Sequence, residues 1–212
     1  MKRIVHCVYI NDFFPELWHY TYPTIKAYAD RIGAEFNLIT ERKYPEWHIN
    51  YEKLQVWEDG KDADLNFLVD ADVLIHPQFP DVHDIIPEHH VAFNDNYTAS
   101  NKFGLNDYNR DYFMRDGRNV GVVTNAVVSY KSTHCLWEPL TISPENGEKI
   151  TLVRKGDIDE YTLSHNLAKY GLRYTGITWE KWHRDYLIHT GTGDRDLSLE
   201  IAKKVINQWN TL

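Results

Sequence analysis

The spacing of apolar residues along the chain predicts most of its elements. Ile4 to Ile10 is an apolar run of strand length that gives way to Asn11-Asp12, which opens a loop where a ligand can meet backbone and amide groups. From Pro15 to Ile32 apolar positions return at helical spacing (Leu17, Tyr20, Ile25, Tyr28, Ala29, Ile32), with Pro23 predicted to kink or divide the helix and Gly33 to end it. Ala34 to Thr40 predicts a second strand, and Glu41 to His48 a loop. Asn50 is placed to cap a short helix that runs through Glu58 to Gly60; its apolar face leaves Lys53 beside the strand that follows.

That next strand, Leu65-Asn66-Phe67-Leu68-Val69-Asp70-Ala71-Asp72, drives an apolar run into two aspartates, and Val73-Leu74-Ile75 follows at once. Three further Asp-x-Asp triplets occur, at Asp62, Asp157 and Asp194, but only this one has apolar β-type residues on both sides. Carboxylates at the end of a buried strand need a cation or hydrogen-bond donors. A strand-end turn whose aspartates cap backbone N–H groups is the plain alternative.

Further on, Val91-Ala92-Phe93 reads as a strand ending at Asn94-Asp95-Asn96, and residues 97–118 as a polar lid-like loop or short helical insert. Asn119 to Tyr130 predicts a strand broken at Thr124-Asn125, followed by an irregular stretch from His134 to Gly147. A helix runs from Asp157 to Tyr170 and stops at Gly171. Leu172 to Thr175 and Tyr186 to His189 predict short strands, and Leu197 to Trp209 an amphipathic final helix. Strands alternating with helices imply right-handed crossovers and an α/β fold: one domain, with a Rossmann-like, mostly parallel central sheet flanked by helices.

Composition narrows the function. With 212 residues, 42% of them hydrophobic, the chain can bury a single sizeable core. A net charge of -8 argues against a general nucleic-acid partner. No apolar run approaches the roughly 18 residues of a membrane span, and the short run after Met1-Lys2-Arg3 lacks a cleavage site, so a soluble, cytoplasmic protein is expected. Cys7 and Cys135 match no zinc spacing and read as reduced thiols.

Taken together, these residues resemble the GT-A glycosyltransferases, most closely the retaining family 8 type that includes bacterial galactosyltransferases and glycogenin. There, a helix with a basic residue precedes an apolar strand ending in Asp-x-Asp, as Tyr51-Glu52-Lys53-Leu54 precedes Asp70-Ala71-Asp72 here. A later Asn-Ala/Ser-Gly strand is echoed by Thr124-Asn125-Ala126-Val127, with Val127 where the family has Gly. An acidic pair at a helix start is echoed by Asp159-Glu160, and a late metal-ligating histidine by His189, with Arg195 six residues on.

The resemblance implies a hexosyltransferase that uses a nucleotide-sugar, a UDP-sugar by preference, with Mn²⁺ or Mg²⁺ and a glycan or glycoprotein acceptor. It implies Asp70, Asp72 and His189 as metal ligands, hard oxygen donors plus one imidazole suiting those ions better than zinc. Tyr9 and Asn11 would lie near the nucleotide, Lys53, Arg195 and Gly191 at phosphate or sugar oxygens, and Asn125, Asp159 and Glu160 at the sugar. The nucleotide side would be residues 1–95, and the sugar and acceptor side residues 96–212. An inverting route would need a base, for which Asp95, Asp159 and Glu160 are the candidates, whereas the resemblance leans to retention. The chain is short for that family, which fits one domain of a larger polypeptide or an acceptor held elsewhere.

Plain readings stand beside these roles. Asp157 and Glu160 have capping-box spacing, Asp159 suits a helix first turn, Asn125 a bulge, Lys53 a solvated helix face and His189 a hydrogen-bonded structural position. His183-Arg184-Asp185 matches a kinase catalytic loop in isolation, but no Gly-rich phosphate loop accompanies it. Sugar-phosphate nucleotidylyltransferases share the sheet topology but carry a Gly-rich basic loop after the first strand, absent from Val8-Tyr9-Ile10-Asn11-Asp12. A non-catalytic sugar-binding module would leave the buried Asp-x-Asp and the late histidine unexplained.

Overall fold

The computed structural model describes residues 1–105, 109–115, 117–141, 155–177 and 186–211. Its centre is β3 (Leu65–Val69), buried at every position because both faces and both edges are covered. Leu65, Phe67 and Val69 face one core, and Leu68 faces the other. On one side β3 pairs in parallel with β1 (Arg3–Val8), which pairs in parallel with β2 (Glu35–Ile39). On the other side lies β6 (Gly121–Tyr130), antiparallel to β3 and to β5 (His90–Tyr97), and β7 (Arg173–Gly176) runs parallel to β5 at the edge. The sheet order is β2-β1-β3-β6-β5-β7, so only β6 runs against the other five. This is the α/β, mostly parallel sheet anticipated from the alternating pattern.

Helices cover both faces. α1 (Pro15–Arg31) lies on one, where Ile25, Tyr28 and Ala29 meet Val5, Cys7 and Phe67. Pro23 neither divides nor ends it: the helix is continuous across the proline, with Leu17, Thr21, Ile25, Tyr28 and Ala29 buried along one stripe. Burial of that stripe offsets the lost N–H. On the opposite face, the Ile158–Tyr170 helix, here α6, packs with the turn Lys131–Trp137 around Leu68, Phe93, Val127, Trp137 and Tyr161. Trp137 donates its ring N–H to Ser129 Oγ at 2.7 Å, which keeps a buried indole satisfied.

Other boundaries shift for local reasons. Residues 97–118 hold two short helices, Ala99–Phe103 and Arg110–Phe113, around residues that are not described. The segment after the second strand is a 3₁₀ turn, Ile49–Gln55, continuing into α2 (Val56–Asp59), and its cap is the His48 side chain, which accepts from Asn50 N–H, rather than Asn50 itself. Residues 142–147 of the predicted irregular stretch and the His183-Arg184-Asp185 triplet lie outside the described residues. Cys7 and Cys135 form no disulfide. Among the described residues, no helix is long and apolar enough to cross a membrane.

The loop ahead of the 3₁₀ turn is fixed by one buried acid. Glu52 is fully buried and accepts from Lys43 N–H at 2.8 Å, Tyr44 N–H at 3.1 Å and Arg42 Nε at 3.1 Å, while Trp47 stacks on Tyr51 at 4.5 Å. Glu52→Ala should cost about 3–5 kcal/mol in urea unfolding, since it strands a guanidinium and two amides. A loss below about 1 kcal/mol would assign the loop to ring stacking alone.

Candidate functional site

Strand β3 ends at Val69, so Asp70 and Asp72 lie in the turn that leaves the sheet and not on the strand itself, where the sequence pattern places them. The next three residues, β4 (Val73–Ile75), pair with β8 (Leu187–His189) in a separate two-stranded sheet. The turn is held by four hydrogen bonds, three of them to other parts of the chain. Asp70 N–H donates to Asn125 C=O at 3.0 Å, Val73 N–H to Asp70 C=O at 3.1 Å, Thr21 Oγ to Ala71 C=O at 2.6 Å and Thr190 N–H to Asp72 C=O at 2.9 Å. Ala71 is buried, so the aspartates beside it are left at the mouth of the sheet, the edge where ligands of open α/β sheets gather.

The β4–β8 pair sets Val73 opposite His189 and brings the histidine back to that mouth. Ligand atoms of Asp70, Asp72 and His189 lie within 4.8 Å of one another, and His189 Nε2 is 3.3 Å from Asp72 Oδ2. Burial works to raise the Asp72 pKa, but the hydrogen bond and charge of His189 hold it below the usual carboxylate range. The same pair raises His189 against the lowering effect of burial. Asp70 is pushed up to about 6, by burial first and by the charge of Asp72, against the pull of Lys53.

These residues fit a hard divalent cation. Among the described residues, Asp72 Oδ1 is buried without a hydrogen-bond partner. Gly191 lies tight against the triad: a Cβ there would sit 2.3 Å from Asp72 Oδ2 and 3.0 Å from His189 Nε2, so any side chain would displace the carboxylate.

Lys53 organises the adjoining wall. Its ammonium, 7% exposed at the residue level, meets Asp70 Oδ1 at 2.7 Å, Asp159 Oδ2 at 3.0 Å and Thr124 Oγ at 2.9 Å, three partners for three donors. Burial alone would lower its pKa, but the charges of Asp159 and Asp70 raise it instead. Thr124 Oγ in turn donates to Asp159 Oδ2 at 2.6 Å. Lys53 therefore ties carboxylates together rather than standing free for phosphate, and the solvated-face reading of it fails.

Two cavities meet at this group. One, about 360 Å³, has walls of Val8, Ile10, Phe13 and Ile49 above Asp70, Asp72 and His189. The other, about 530 Å³, is bounded by Asn94, Asn125, Asp159, Glu160, Tyr97 and Lys102, with Gly191 and His189 at its edge. A third hollow, about 340 Å³, joins Asp72 and His189 to Arg195 at the start of the last helix, α7 (Arg195–Trp209). Arg195 lies over the Phe14 ring at 5.1 Å, and Asp194 caps the helix by accepting from Leu197 N–H.

The structure thus brings together Lys53, Asp70, Asp72, Asn125, Asp159, Glu160, His189, Gly191 and Arg195. Three expected positions fall elsewhere. Tyr9 turns away and stacks on Trp18 at 4.4 Å, leaving its neighbours Val8 and Ile10 to line the cavity. Asn11 is exposed in a loop with φ of 57°, and does not line either cavity. Asp95 packs against Gly176, whose Cβ would meet Asp95 Oδ2 at 2.5 Å, so on β5 the inward residue is Asn94. The Asp157 side chain makes no cap hydrogen bond; Glu160 instead faces Thr124 N–H at 3.4 Å and pairs with Lys102, so the capping-box reading fails.

Sequence reasoning passed over Phe13, Thr21, Asn94 and the bonding role of Thr124. Thr124–Ala126 leave the β5 ladder as a bulge, since Phe93 opposes Val127 but Asn94 opposes Val123. The predicted break at Thr124-Asn125 is this bulge inside a continuous strand, and the bulge is what turns Asn125 toward the cleft.

Lys53→Met would leave Asp70 and Asp159 facing each other uncompensated. It should destabilise the fold by about 3–5 kcal/mol in urea unfolding at pH 7. A variant as stable as the parent would mean that the ammonium contributes nothing net to the fold.

No family model and no curated protein matches the chain. Among solved structures, it is similar to a glycosyltransferase involved in the glycosylation of the major capsid of PBCV-1, over 96% of this chain and 100% of that one, at 10% identity and a TM-score of 0.61. It also matches the galactosyltransferase LgtC, solved with donor and acceptor sugar analogues, over 81% of this chain and 73% of that one, at 12% identity and a TM-score of 0.49. At such identity the first likeness speaks to architecture, and it establishes that this chain has the GT-A fold.

Proposed function

We propose that the protein is a metal-dependent hexosyltransferase that takes a hexose from a nucleoside diphosphate sugar, a UDP-sugar by preference, and passes it to a glycan or glycoprotein acceptor. One observation carries this reading. Ligand atoms of Asp70, Asp72 and His189 lie within 4.8 Å of one another where two cavities meet, and Asp72 Oδ1 is buried there without a hydrogen-bond partner among the described residues. Orphaned acceptors are expensive to bury. A divalent cation compensates Asp72, and the second cavity, walled by Asn94, Asn125 and Asp159, offers polar side chains to a polyhydroxylated ring.

In this reading, residues 1–95 supply most of the nucleotide side and residues 96–212 most of the sugar and acceptor side. The base lies in the cavity walled by Val8, Ile10, Phe13 and Ile49, where Phe13, 48% exposed, is the ring placed to stack. Asp72 and His189 bind Mn²⁺ or Mg²⁺ directly, and Asp70 reaches the metal or a ribose hydroxyl. When bound, the ion serves as a Lewis acid that neutralises charge on the departing diphosphate. Arg195 and the N-terminal end of α7 face the same phosphates, and the backbone at Gly191 approaches them where no side chain fits. Lys53 fixes Asp70 and Asp159 in relation to each other, so that sugar and diphosphate are held in one register.

The carboxylates on the sugar side support retention of configuration. Asp95 is turned to Gly176, Asp159 is held by Lys53 and Thr124, and Glu160 is paired with Lys102, so none stands ready as a base. The leaving phosphate then takes the acceptor proton. An inverting route would fall to Asp157, the remaining carboxylate of that wall.

Four measurements test the reading. Calorimetry with UDP should give binding in Mn²⁺ and none with chelator, and Asp72→Asn should abolish metal-dependent donor hydrolysis while keeping the parent's melting temperature. Full activity in that variant would reject the metal site. Phe13→Ala should weaken UDP binding by roughly 5–150-fold, the range of one stacked base, whereas Tyr9→Ala should leave it nearly unchanged; the reverse order would return the base to Tyr9. NMR of the product should show the donor's anomeric configuration preserved.

A further inference from the structure

We infer that the sugar accepted by the 530 Å³ cavity is an uncharged hexose, and that the Lys102–Glu160 pair makes the cavity reject sugars bearing a C6 carboxylate. The inference rests on the transferase reading above and goes beyond it by fixing the donor's chemical class.

The cavity wall is built to receive protons in hydrogen bonds. Asn94, Asn125 and Asp159, with exposures of 4%, 6% and 1%, each have a buried Oδ1 without a partner among the described residues. These side chains line the cavity, and a hexose presents hydroxyls to them. The C6 position of a uronate replaces one hydroxyl with a group that only accepts, which brings a second anion against a wall already rich in acceptors.

Charge works in the same direction. Carboxylates of Asp70, Asp157, Asp159 and Glu160 line the cavity, against the ammonium groups of Lys53 and Lys102. Both cations are committed. Lys53 spans Asp70 and Asp159 at 2.7 and 3.0 Å, and Lys102 pairs with Glu160 while its Nζ lies 5.2 Å from the centre of the Tyr97 ring. An incoming uronate could recruit Lys102 only by detaching it from Glu160, which would leave that carboxylate uncompensated next to the new one. In a partly desolvated cavity, like charges at such range are costly. Glu160 thus acts as an internal occupant of the place where a sugar carboxylate would otherwise be bound.

The test is calorimetry of the full chain in Mn²⁺ with UDP, UDP-glucose, UDP-galactose, UDP-glucuronate and UDP-galacturonate. GDP, GDP-mannose and GDP-mannuronate are run in parallel so that base preference does not decide the result. Neutral donors should bind at least as tightly as the free diphosphate, and uronates at least about 30-fold more weakly than their neutral counterparts. Glu160→Gln should release Lys102 and narrow that gap by about tenfold, with affinity for the free diphosphate unchanged. Uronates within threefold of neutral donors in the parent protein, or an unchanged gap in Glu160→Gln, would overturn the inference while leaving the transferase reading in place. Failure of both free diphosphates to bind would instead remove the transferase reading, and this inference with it.

Discussion

A buried ammonium surrounded by carboxylates is the constraint on which the rest of the cleft depends. Lys53 comes from the 3₁₀ turn, Asp70 from the end of β3, Asp159 from the first turn of α6 and Thr124 from the bulge of β6. None of these is close in sequence to another, so the group forms only when the sheet and both flanking elements are in place. Each member is costly to bury alone and tolerable only with the others. A cooperative cluster of this kind fixes positions to within hydrogen-bond tolerance, which suits the alignment of sugar and diphosphate that the proposed function requires.

The Asp-x-Asp turn adds a second level of rigidity, because its carbonyls and amides are tied to α1, β6 and the loop after β8. Strand β4 departs from the main sheet and needs a partner. The partner it finds, β8, is what returns His189 to the aspartates across more than a hundred residues of chain. Pairing of the small sheet and assembly of the triad are therefore one event. A glycine at position 191 completes it, since any side chain there would displace Asp72 from His189.

Much of this was legible before the structure. The apolar run into Asp70 and Asp72, the helix from Pro15 to Ile32 and the acidic start of α6 follow from local pattern, because burial and helical period leave their mark on neighbouring residues, whereas His189 stands out only through the family resemblance. What was illegible depends on register and on the direction of side chains. Whether Asn94 or Asp95 faces the cleft is a matter of one residue on a bulged strand. Tyr9 and Phe13 are both aromatic residues near the end of the first strand, but Tyr9 finds Trp18. Phe13 is left exposed by a loop in which Asn11, Asp12 and Phe14 all take positive φ. The apolar face of its turn puts Lys53 beside β3, yet its partner Asp159 lies about a hundred positions away, and pairs of that kind leave no trace in a single sequence.

The charge balance explains why the site is so tightly compensated. The chain carries a net charge of -8, and Asp70, Asp72 and Asp159 converge near the place proposed for a diphosphate, itself an anion. Lys53 offsets one of these charges and is consumed in doing so. Long-range attraction cannot bring the donor in, because at physiological salt the field beyond roughly 8 Å is screened and its sign here is unfavourable. Under the proposed function the attraction would be local, from a divalent ion at the triad, Arg195 and the N–H groups that open α7. Under the proposed function, an acidic protein with a metal-completed cleft would bind its donor only once a divalent cation cancelled the local negative charge, so the arrangement that makes the site stable without ligand would also make occupancy by metal the condition for binding a nucleotide.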